Sequence, residues 1–427
     1  MKNLFVIGAA GLLGAGSLLA QQYDIYLSGS TAFRNNCYDA CSKLFDGGAP
    51  ATHRGDGTSP ENKSTLWTMS GTCSNILGAT VTNVVVIHGS WNGSVAGLYA
   101  LGTPFGVPFY KSASSADTTL VTNTPTGALS DVDSRATLYP LSSSSFWEKY
   151  VCVQPFIFVK SLSSAVAGIN NVAFGQLQQM LANSAAPLSQ FTGNIGDTNT
   201  TVYLVERTLD SGTRVTQFAE SQFSGSVNQL YYYDTVGNTG YYVATTNRYT
   251  GSALDPLFTA GGFGFGYVGG GDIANVLKVN QANNTAIAGL SFADAKSVGS
   301  ANWANMLSYN GQYPILNYTP GVAPTTNDFG PVITGKYSFW AYEVFAWPKQ
   351  AQYGTYPDQP TPYSVVSTLL NKLAGYNGTT TTKGSFVGGV GSFDNEIYLS
   401  QPAGATAIRL GDMHSSRQSV GGPISTF

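Results

Sequence analysis

The segment from Arg207 to Thr213, RTLDSGT, combines a guanidinium group with hydroxyl and backbone groups that can donate hydrogen bonds to an anion. The planar fork of Arg207 matches two oxygens of an oxyanion. Ser211 and Thr213 add hydroxyl donors, and Gly212 lets the backbone approach a ligand closely. A predicted helix begins here, and its free N–H groups favour negative charge. The segment therefore indicates an anion-binding turn, with a β-turn beside a surface arginine as the alternative.

Two earlier turns show the same order of predicted strand, Gly/Ser/Thr turn and predicted helix. One is SGST at residues 28–31, and the other is GSWNGS at residues 89–94. In open α/β sheets such turns lie at the carboxyl ends of the strands, where ligands bind. Thr31 and Ser94 are therefore candidate donors to the same anion. Taken singly, each turn is equally well explained as a helix N-cap.

Asp131 is the candidate that could select among oxyanions. An ionised carboxylate only accepts hydrogen bonds, so it can bond only an oxygen that carries a proton. Hydrogen phosphate has such an oxygen near neutral pH, whereas sulfate has none. An unmatched group in a buried site costs about 1–3 kcal/mol, which is enough for selection. The alternative is an aspartate that caps a turn or helix.

Hydrophobic periodicity predicts alternating strands and helices, which is typical of α/β lobes. The predicted strands cover residues 23–27, 81–88, 150–160, 201–207, 286–292 and 337–346. The predicted helices cover residues 32–44, 94–101, 173–182, 215–224, 272–279 and 363–375. Residues 45–80 and 103–127 are interpreted as loop-rich insertions. The tyrosines at 231–233 and 241–242 predict an exposed β-hairpin, with a carbohydrate-stacking surface as the alternative.

The composition and the N-terminus indicate an exported protein that does not bind nucleic acid. Charged residues make up 10% of the 427 residues, with 20 Lys plus Arg against 23 Asp plus Glu. A nucleic-acid surface would need clustered basic residues. Lys2, an apolar run over residues 4–19 and Ala20 predict a signal peptide at residues 1–20. We therefore expect a periplasmic or extracellular location, with a membrane anchor as the alternative.

The cysteines predict a disulfide. Four cysteines in an exported chain favour bridging. We expect one bridge from Cys37 or Cys41, which share a predicted helix, to Cys73, with Cys152 outside it. The three histidines are scattered and show no metal-ligand spacing with the cysteines. The chain also lacks a Gly-x-Ser-x-Gly elbow, so we expect a protein that is not an enzyme and has no cofactor or metal.

Taken in order, these segments resemble the phosphate-binding protein of the Pst-type ABC transporter, a type II periplasmic solute-binding protein. The segments that carry the resemblance are SGSTAF at 28–33, GSVAG at 93–97, LSD at 129–131 and RTLDSGT at 207–213. Weaker likenesses lie at 269–272 and 286–290, so the resemblance spans roughly residues 23–345. It implies phosphate binding by these residues: Thr31, Ala32 through its backbone N–H, Ser94, Asp131, Arg207, Ser211, Gly212 and Thr213. The long insertions, the extended C-terminus and the sparse charge depart from the family.

The resemblance also implies an architecture and a role. We expect an α/β fold with two lobes and a ligand cleft between them. The first lobe would hold residues 22–156 plus 336–427, and the second residues 157–335. Such a monomer would capture inorganic phosphate or a similar oxyanion and deliver it to an ABC permease in the membrane. The low charge, polar insertions and tyrosine-rich segments keep open a surface or adhesive protein that retains the fold without transport.

Overall fold

The computed structural model describes most of the chain beyond the predicted signal peptide. The described residues are 21–57, 64–78, 83–137, 139–224, 231–235, 237–243, 258–261, 264–299, 303, 305–322, 328–375, 392–393 and 406–426. The predicted signal peptide lies outside them. Within the described ranges, no helix has both the length and the apolar character needed to cross a membrane.

The strands are short except for two, β8 and β18. In chain order they are β1 Gln22–Gly29, β2 Thr52–Gly55, β3 Leu66–Thr72, β4 Val84–Ser90, β5 Val107–Tyr110, β6 Leu120–Asn123, β7 Gly127–Ser130, β8 Phe146–Lys160, β9 Asn171–Val172, β10 Ala185–Pro187, β11 Thr201–Leu204, β12 Tyr231–Tyr233, β13 Tyr241–Val243, β14 Phe258–Gly261, β15 Gly264–Tyr267, β16 Ala286–Ser291, β17 Met306–Tyr309, β18 Trp340–Pro348, β19 Ser415–Arg417 and β20 Ile424–Thr426.

The helices alternate with these strands over much of the described chain. They are α1 Arg34–Ser42, α2 Ser74–Leu77, α3 Ser94–Gly102, α4 Phe174–Asn183, α5 Ser189–Thr192, α6 Gly212–Glu220, α7 Gly270–Lys278, α8 Phe292–Val298, α9 Gly330–Ile333, α10 Gln350–Tyr353 and α11 Tyr363–Leu373. Short 3-10 helices lie at Asp46–Gly48, Ser134–Ala136, Ser164–Val166, Ile195–Asp197 and Leu410–Asp412. The predicted mixed α/β fold class is thus confirmed.

One large mixed sheet runs through the described part of the molecule. Its strand order is β10-β11-β16-β8-β18-β7-β1-β4-β3-β2, with β17 joined to β8 and β9 joined to β17. Strand β1 is parallel to both β4 and β7, so the carboxyl ends of these three strands share one edge. Strand β1 is buried along almost its whole length, as expected for a parallel strand covered on both faces. The turns that follow these strands therefore meet at that edge.

Two large hydrophobic cores divide the described residues, and we call the parts around them the first and second lobes. The first core includes Ile25, Ile87, Leu129, Phe345 and Leu369. The second core includes Phe158, Leu204, Ile287, Phe339 and Met413. Strands β8 and β18 pair antiparallel and contribute residues to both cores. The exact lobe boundaries stay a prediction, and the residues around Met413 pack on the second core.

Two predicted loop regions contain strands instead. Residues 45–80 include β2 and β3, and β3 pairs with β4 along its whole length. Residues 103–127 include the hairpin of β5 and β6. The predicted tyrosine hairpin is confirmed as β12 and β13, but the expected exposure is wrong because Tyr232 and Tyr233 are buried. Ring stacking of Tyr203 on Tyr241 covers part of this hairpin.

The predicted disulfide is not formed in the structure. Cys37, Cys41 and Cys73 are buried in the first core and none is bridged to a described residue. The sulfur atoms of Cys37 and Cys41 are 3.9 Å apart, whereas a disulfide bond is about 2.05 Å long. These side chains fill apolar volume as small hydrophobic groups, which is a common role of buried cysteine.

Candidate functional site

The turn after β1 begins the site in the first lobe. Gly29 has a φ of 127°, and a Cβ there would lie 1.9 Å from the carbonyl oxygen of Leu129. Glycine is therefore required for β1 to approach β7 this closely. The backbone N–H of Ser30 donates to the same carbonyl oxygen at 2.7 Å. This contact holds Thr31 and Ala32, both buried, directly before α1.

The start of α3 lies beside this turn. The N–H of Gly93 donates to the carbonyl oxygen of Gly29 at 3.0 Å, and Gly93 has a φ of 124°. Ser94 is the first residue of α3 and is buried. The next N–H, that of Val95, donates across the lobes to the carbonyl oxygen of Asp210 at 2.8 Å. The N-terminus of α3 therefore faces the second lobe. The positive end of the α3 helix dipole points into the region between the lobes.

Asp131 follows β7 directly and lies against Ser94. The Ser94 hydroxyl donates to Oδ1 of Asp131, and the Thr213 hydroxyl donates to Oδ2 at 3.4 Å from the second lobe. Burial raises the pKa of Asp131 to about 6, and the Arg207 guanidinium opposes this rise. The carboxyl group is thus mostly ionised near neutral pH, as an acceptor in the site must be.

Arg207 extends from the second lobe into the first. Its Nη2 donates to Oγ1 of Thr31 at 3.2 Å, although 176 residues separate the two in sequence. Its Nε donates to the carbonyl oxygen of Tyr267 at 3.1 Å, and Nη2 also donates to the carbonyl oxygen of Val268. The side chain is 3% exposed. A buried guanidinium stays charged and offers further donors, so this residue supplies the positive charge of the site.

The helix start at Gly212 completes the second-lobe part of the site. Ser211 caps α6 by accepting from the N–H of Arg214 at 3.4 Å. A Cβ on Gly212 would lie 2.1 Å from Oδ1 of Asp131 and 2.8 Å from the hydroxyl oxygen of Ser94. Only glycine therefore lets the N-terminus of α6 approach the first lobe this closely. Two helix N-termini, those of α3 and α6, meet around Asp131, an arrangement that favours a bound anion.

Two charged residues next to Arg207 were not singled out from the sequence. Glu206 and Arg214 are buried, with Oε2 of Glu206 3.9 Å from Nε of Arg214. Nη1 of Arg214 donates to the carbonyl oxygen of Arg207 at 2.8 Å. Burial raises the pKa of Glu206 to about 7, opposed by Arg214. Both residues directly flank the RTLDSGT segment, so the sequence showed that they lie near the site. Nothing in the sequence indicated that they would be buried.

A cleft of about 360 Å³ opens beside Thr31 and Ala32. Its walls come from both lobes and include Trp91, Asp272 and Asn275. At its mouth, Nη2 of Arg34 in the first lobe lies 3.9 Å from Oδ1 of Asp294 in the second lobe, with both side chains largely buried. This ion pair, which the sequence did not predict, joins the two lobes over the cleft. Among the described residues, no group of three His, Cys, Asp or Glu side chains could hold a metal ion.

All of the sequence-predicted site residues lie in one buried region between the lobes. Thr31, Ser94, Asp131, Arg207 and Thr213 are joined by the hydrogen bonds described above. Ala32, Ser211 and Gly212 lie beside them, at the same turn or helix start. Their roles toward a ligand remain a prediction, because the contacts seen are among the protein's own groups. Such an arrangement can bind a small anion through hydroxyl, N–H and guanidinium donors, with the Asp131 carboxylate as the one acceptor.

The matches to known proteins are solved structures of low sequence identity. No family model matches this chain, and no curated protein matches it. Among solved structures, a phosphate-binding protein from Stenotrophomonas maltophilia is 13% identical, with 90% of each chain covered and a TM-score of 0.41. An ABC-type phosphate transport receptor from Vibrio cholerae is 12% identical, with 81% of this chain and 93% of that chain covered and a TM-score of 0.36. Identities and TM-scores this low do not establish a function for this chain.

Proposed function

We propose that this protein captures inorganic phosphate, or a similar tetrahedral oxyanion, in the cleft between its two lobes. The supporting observation is the set of contacts that join Thr31, Ser94 and Asp131 of the first lobe to Arg207 and Thr213 of the second. Burying polar groups costs free energy unless each is matched by a partner, and here the partners come from opposite lobes. An anion that enters between them would accept from both lobes.

The residue types favour a protonated oxyanion over a fully deprotonated one. Arg207, the hydroxyl groups and the helix N-termini donate, whereas ionised Asp131 only accepts. An ion that brings one O–H group satisfies both kinds of partner, and hydrogen phosphate is such an ion. Sulfate would leave Asp131 facing an oxygen without a proton, at a cost of about 1–3 kcal/mol or more. The site would therefore prefer phosphate to sulfate.

The cellular role belongs to the same proposal. The protein would act outside the cytoplasm, without catalysis, and close its lobes by hinge motion over the ligand. The closed form would dock on an ABC permease as a monomer. The alternative is a surface protein that keeps this fold without binding an oxyanion. Such a protein would show no binding in a phosphate titration.

Calorimetric titration of the purified exported protein with phosphate tests this function. We expect one site per chain in the wild type, and an affinity about 100-fold weaker in Arg207→Ala, because a buried charged donor is lost. Arg409→Ala is the matched control, since its ion pair with Asp412 lies in the C-terminal segment. Absence of heat and of thermal stabilisation with phosphate in the wild type would reject the proposal. Unchanged affinity in Arg207→Ala would reject the site.

A further inference from the structure

Glu343 is a buried carboxyl group directly behind the site. It lies on β18, is 0% exposed, and neither of its carboxyl oxygens has a hydrogen-bond partner of normal geometry among the described residues. The Ser30 hydroxyl lies close enough to favour its ionised form. A buried carboxylate without partners is among the costliest groups a fold can hold, so it either takes up a proton or is compensated by a positive charge.

The sheet register places Glu343 beside Asp131. Strand β18 pairs antiparallel with β7, and Val344 lies opposite Ser130. Glu343 precedes this pair on β18 and Asp131 follows it directly after β7, and the two carboxyl groups interact electrostatically. Two carboxyl groups are thus neighbours at the point where β7 and β18 reach the cleft.

In the described part of the chain, the groups that the structure places against Glu343 carry no positive charge. Asp131 lies across from it on the β7 side, Cys37 faces it from α1, and Cys152 is its partner on β8. Burial and then the Asp131 carboxyl raise the pKa of Glu343 well above its ordinary value. Arg207, the guanidinium of the site, interacts instead with Asp131. The proton is therefore expected on Glu343 rather than on Asp131 near neutral pH.

We propose that Glu343 is a positioning residue of the oxyanion site, a carboxylic acid that stays protonated behind Asp131 so that this pair of carboxyl groups carries a single negative charge. This inference rests on the proposed function, because the benefit is to a bound anion. A second carboxylate behind Asp131 would repel the ligand through a medium of low effective dielectric constant. The neutral acid instead fills the space under the Ser30–Thr31 turn and supports Asp131 in its place.

Infrared difference spectroscopy tests the protonation state without any ligand. We expect the difference spectrum between the unliganded wild type and Glu343→Gln at about pH 7 to show the loss of one protonated carboxyl C=O stretch, over a background from Glu206 that both proteins share. The same band should remain in Asp131→Asn, which serves as the control. A C=O band of the same intensity in the wild type and in Glu343→Gln would overturn the proposal. Since no phosphate is used, this result is independent of whether the protein binds phosphate.

Phosphate titrations test the positioning role. Glutamine is neutral and nearly isosteric with the protonated acid, so Glu343→Gln should bind phosphate within about twofold of the wild type. Glu343→Ala leaves a void behind Asp131 and should bind at least about tenfold more weakly. If Glu343 were ionised, its neutralisation in Glu343→Gln would strengthen anion binding about tenfold, which would contradict the proposal. An affinity in Glu343→Ala equal to the wild type would also contradict it, and if that variant does not fold, the glutamine variant decides alone.

Discussion

The two lobes contribute chemically different halves to the site. The first-lobe half has an acidic side, with Asp131 and the buried Glu343 behind the hydroxyl groups of Thr31 and Ser94. The second-lobe half supplies the guanidinium group of Arg207, whose backbone carbonyl is held by Arg214. Neither half alone offers an anion both the positive charge and the acceptor that it needs. The difference implies that ligand binding and lobe closure depend on each other, and separate changes to the halves should expose this.

The two halves approach each other closely at Gly212. Replacing it in Gly212→Ala should weaken phosphate binding about 100-fold, because the new Cβ would lie 2.1 Å from Oδ1 of Asp131 and push the halves apart. Calorimetry measures the loss, and circular dichroism should show the helices unchanged. Gly175→Ala is the matched control, since a Cβ at that helical glycine meets no atom within 4 Å. Equal losses in both variants would show that the contact is not specific.

The acceptor of the first-lobe half is expected to determine selectivity. Asp131→Asn offers an N–H₂ donor where an acceptor stood, so phosphate affinity should fall about tenfold while sulfate affinity stays the same or rises. Paired titrations with the two ions give the selectivity ratio directly. An unchanged ratio of phosphate to sulfate affinity would show that Asp131 does not recognise the proton of the ligand.

The local sequence identified the turn residues that the fold brings together between the lobes, and their roles toward a ligand stay a prediction. The sequence could not predict what lies behind them. The turns at 28–31 and 211–213 can be recognised from their composition, because glycine and hydroxyl side chains are preferred where a helix begins. Glu343 sits in an ordinary strand sequence, and its burial follows from a register between β18 and β7 that joins residues more than 200 positions apart. Strand β3 was interpreted as loop because glycine, serine and threonine dominate residues 68–72, although pairing with β4 makes it a strand.

The buried carboxyl groups of both halves should lower stability as pH rises. Burial raises the pKa of Asp131 to about 6 and that of Glu206 to about 7, both above the values of about 4 expected in an unfolded chain. Between those limits the folded state holds protons that the unfolded state has released, so the free energy of unfolding falls with increasing pH. Without ligand, Asp131→Asn and Glu206→Gln should therefore melt above the wild type at about pH 7, with the difference closing toward about pH 4. A difference in melting temperature that is constant over this range would contradict these pKa shifts.

The ion pair across the cleft mouth should have the smallest effect. Arg34→Ala removes the contact with Asp294, which joins the lobes over the cleft, and we expect phosphate affinity to fall about threefold to fivefold, on the order of that for a partly buried pair. The loss should shrink at high salt because the pair reaches solvent. Arg135→Ala, whose ion pair with Asp133 lies within the first lobe, is the control and should bind normally.

A crystal structure of the protein with phosphate tests most directly whether the two halves hold one anion. The account predicts a tetrahedral ion between the lobes, within hydrogen-bond distance of Arg207 and Thr213 on one side and of Thr31, Ser94 and Asp131 on the other. The Asp131 carboxylate should accept from the protonated oxygen of the ion. A phosphate bound elsewhere, or held by only one of the two halves, would contradict the account.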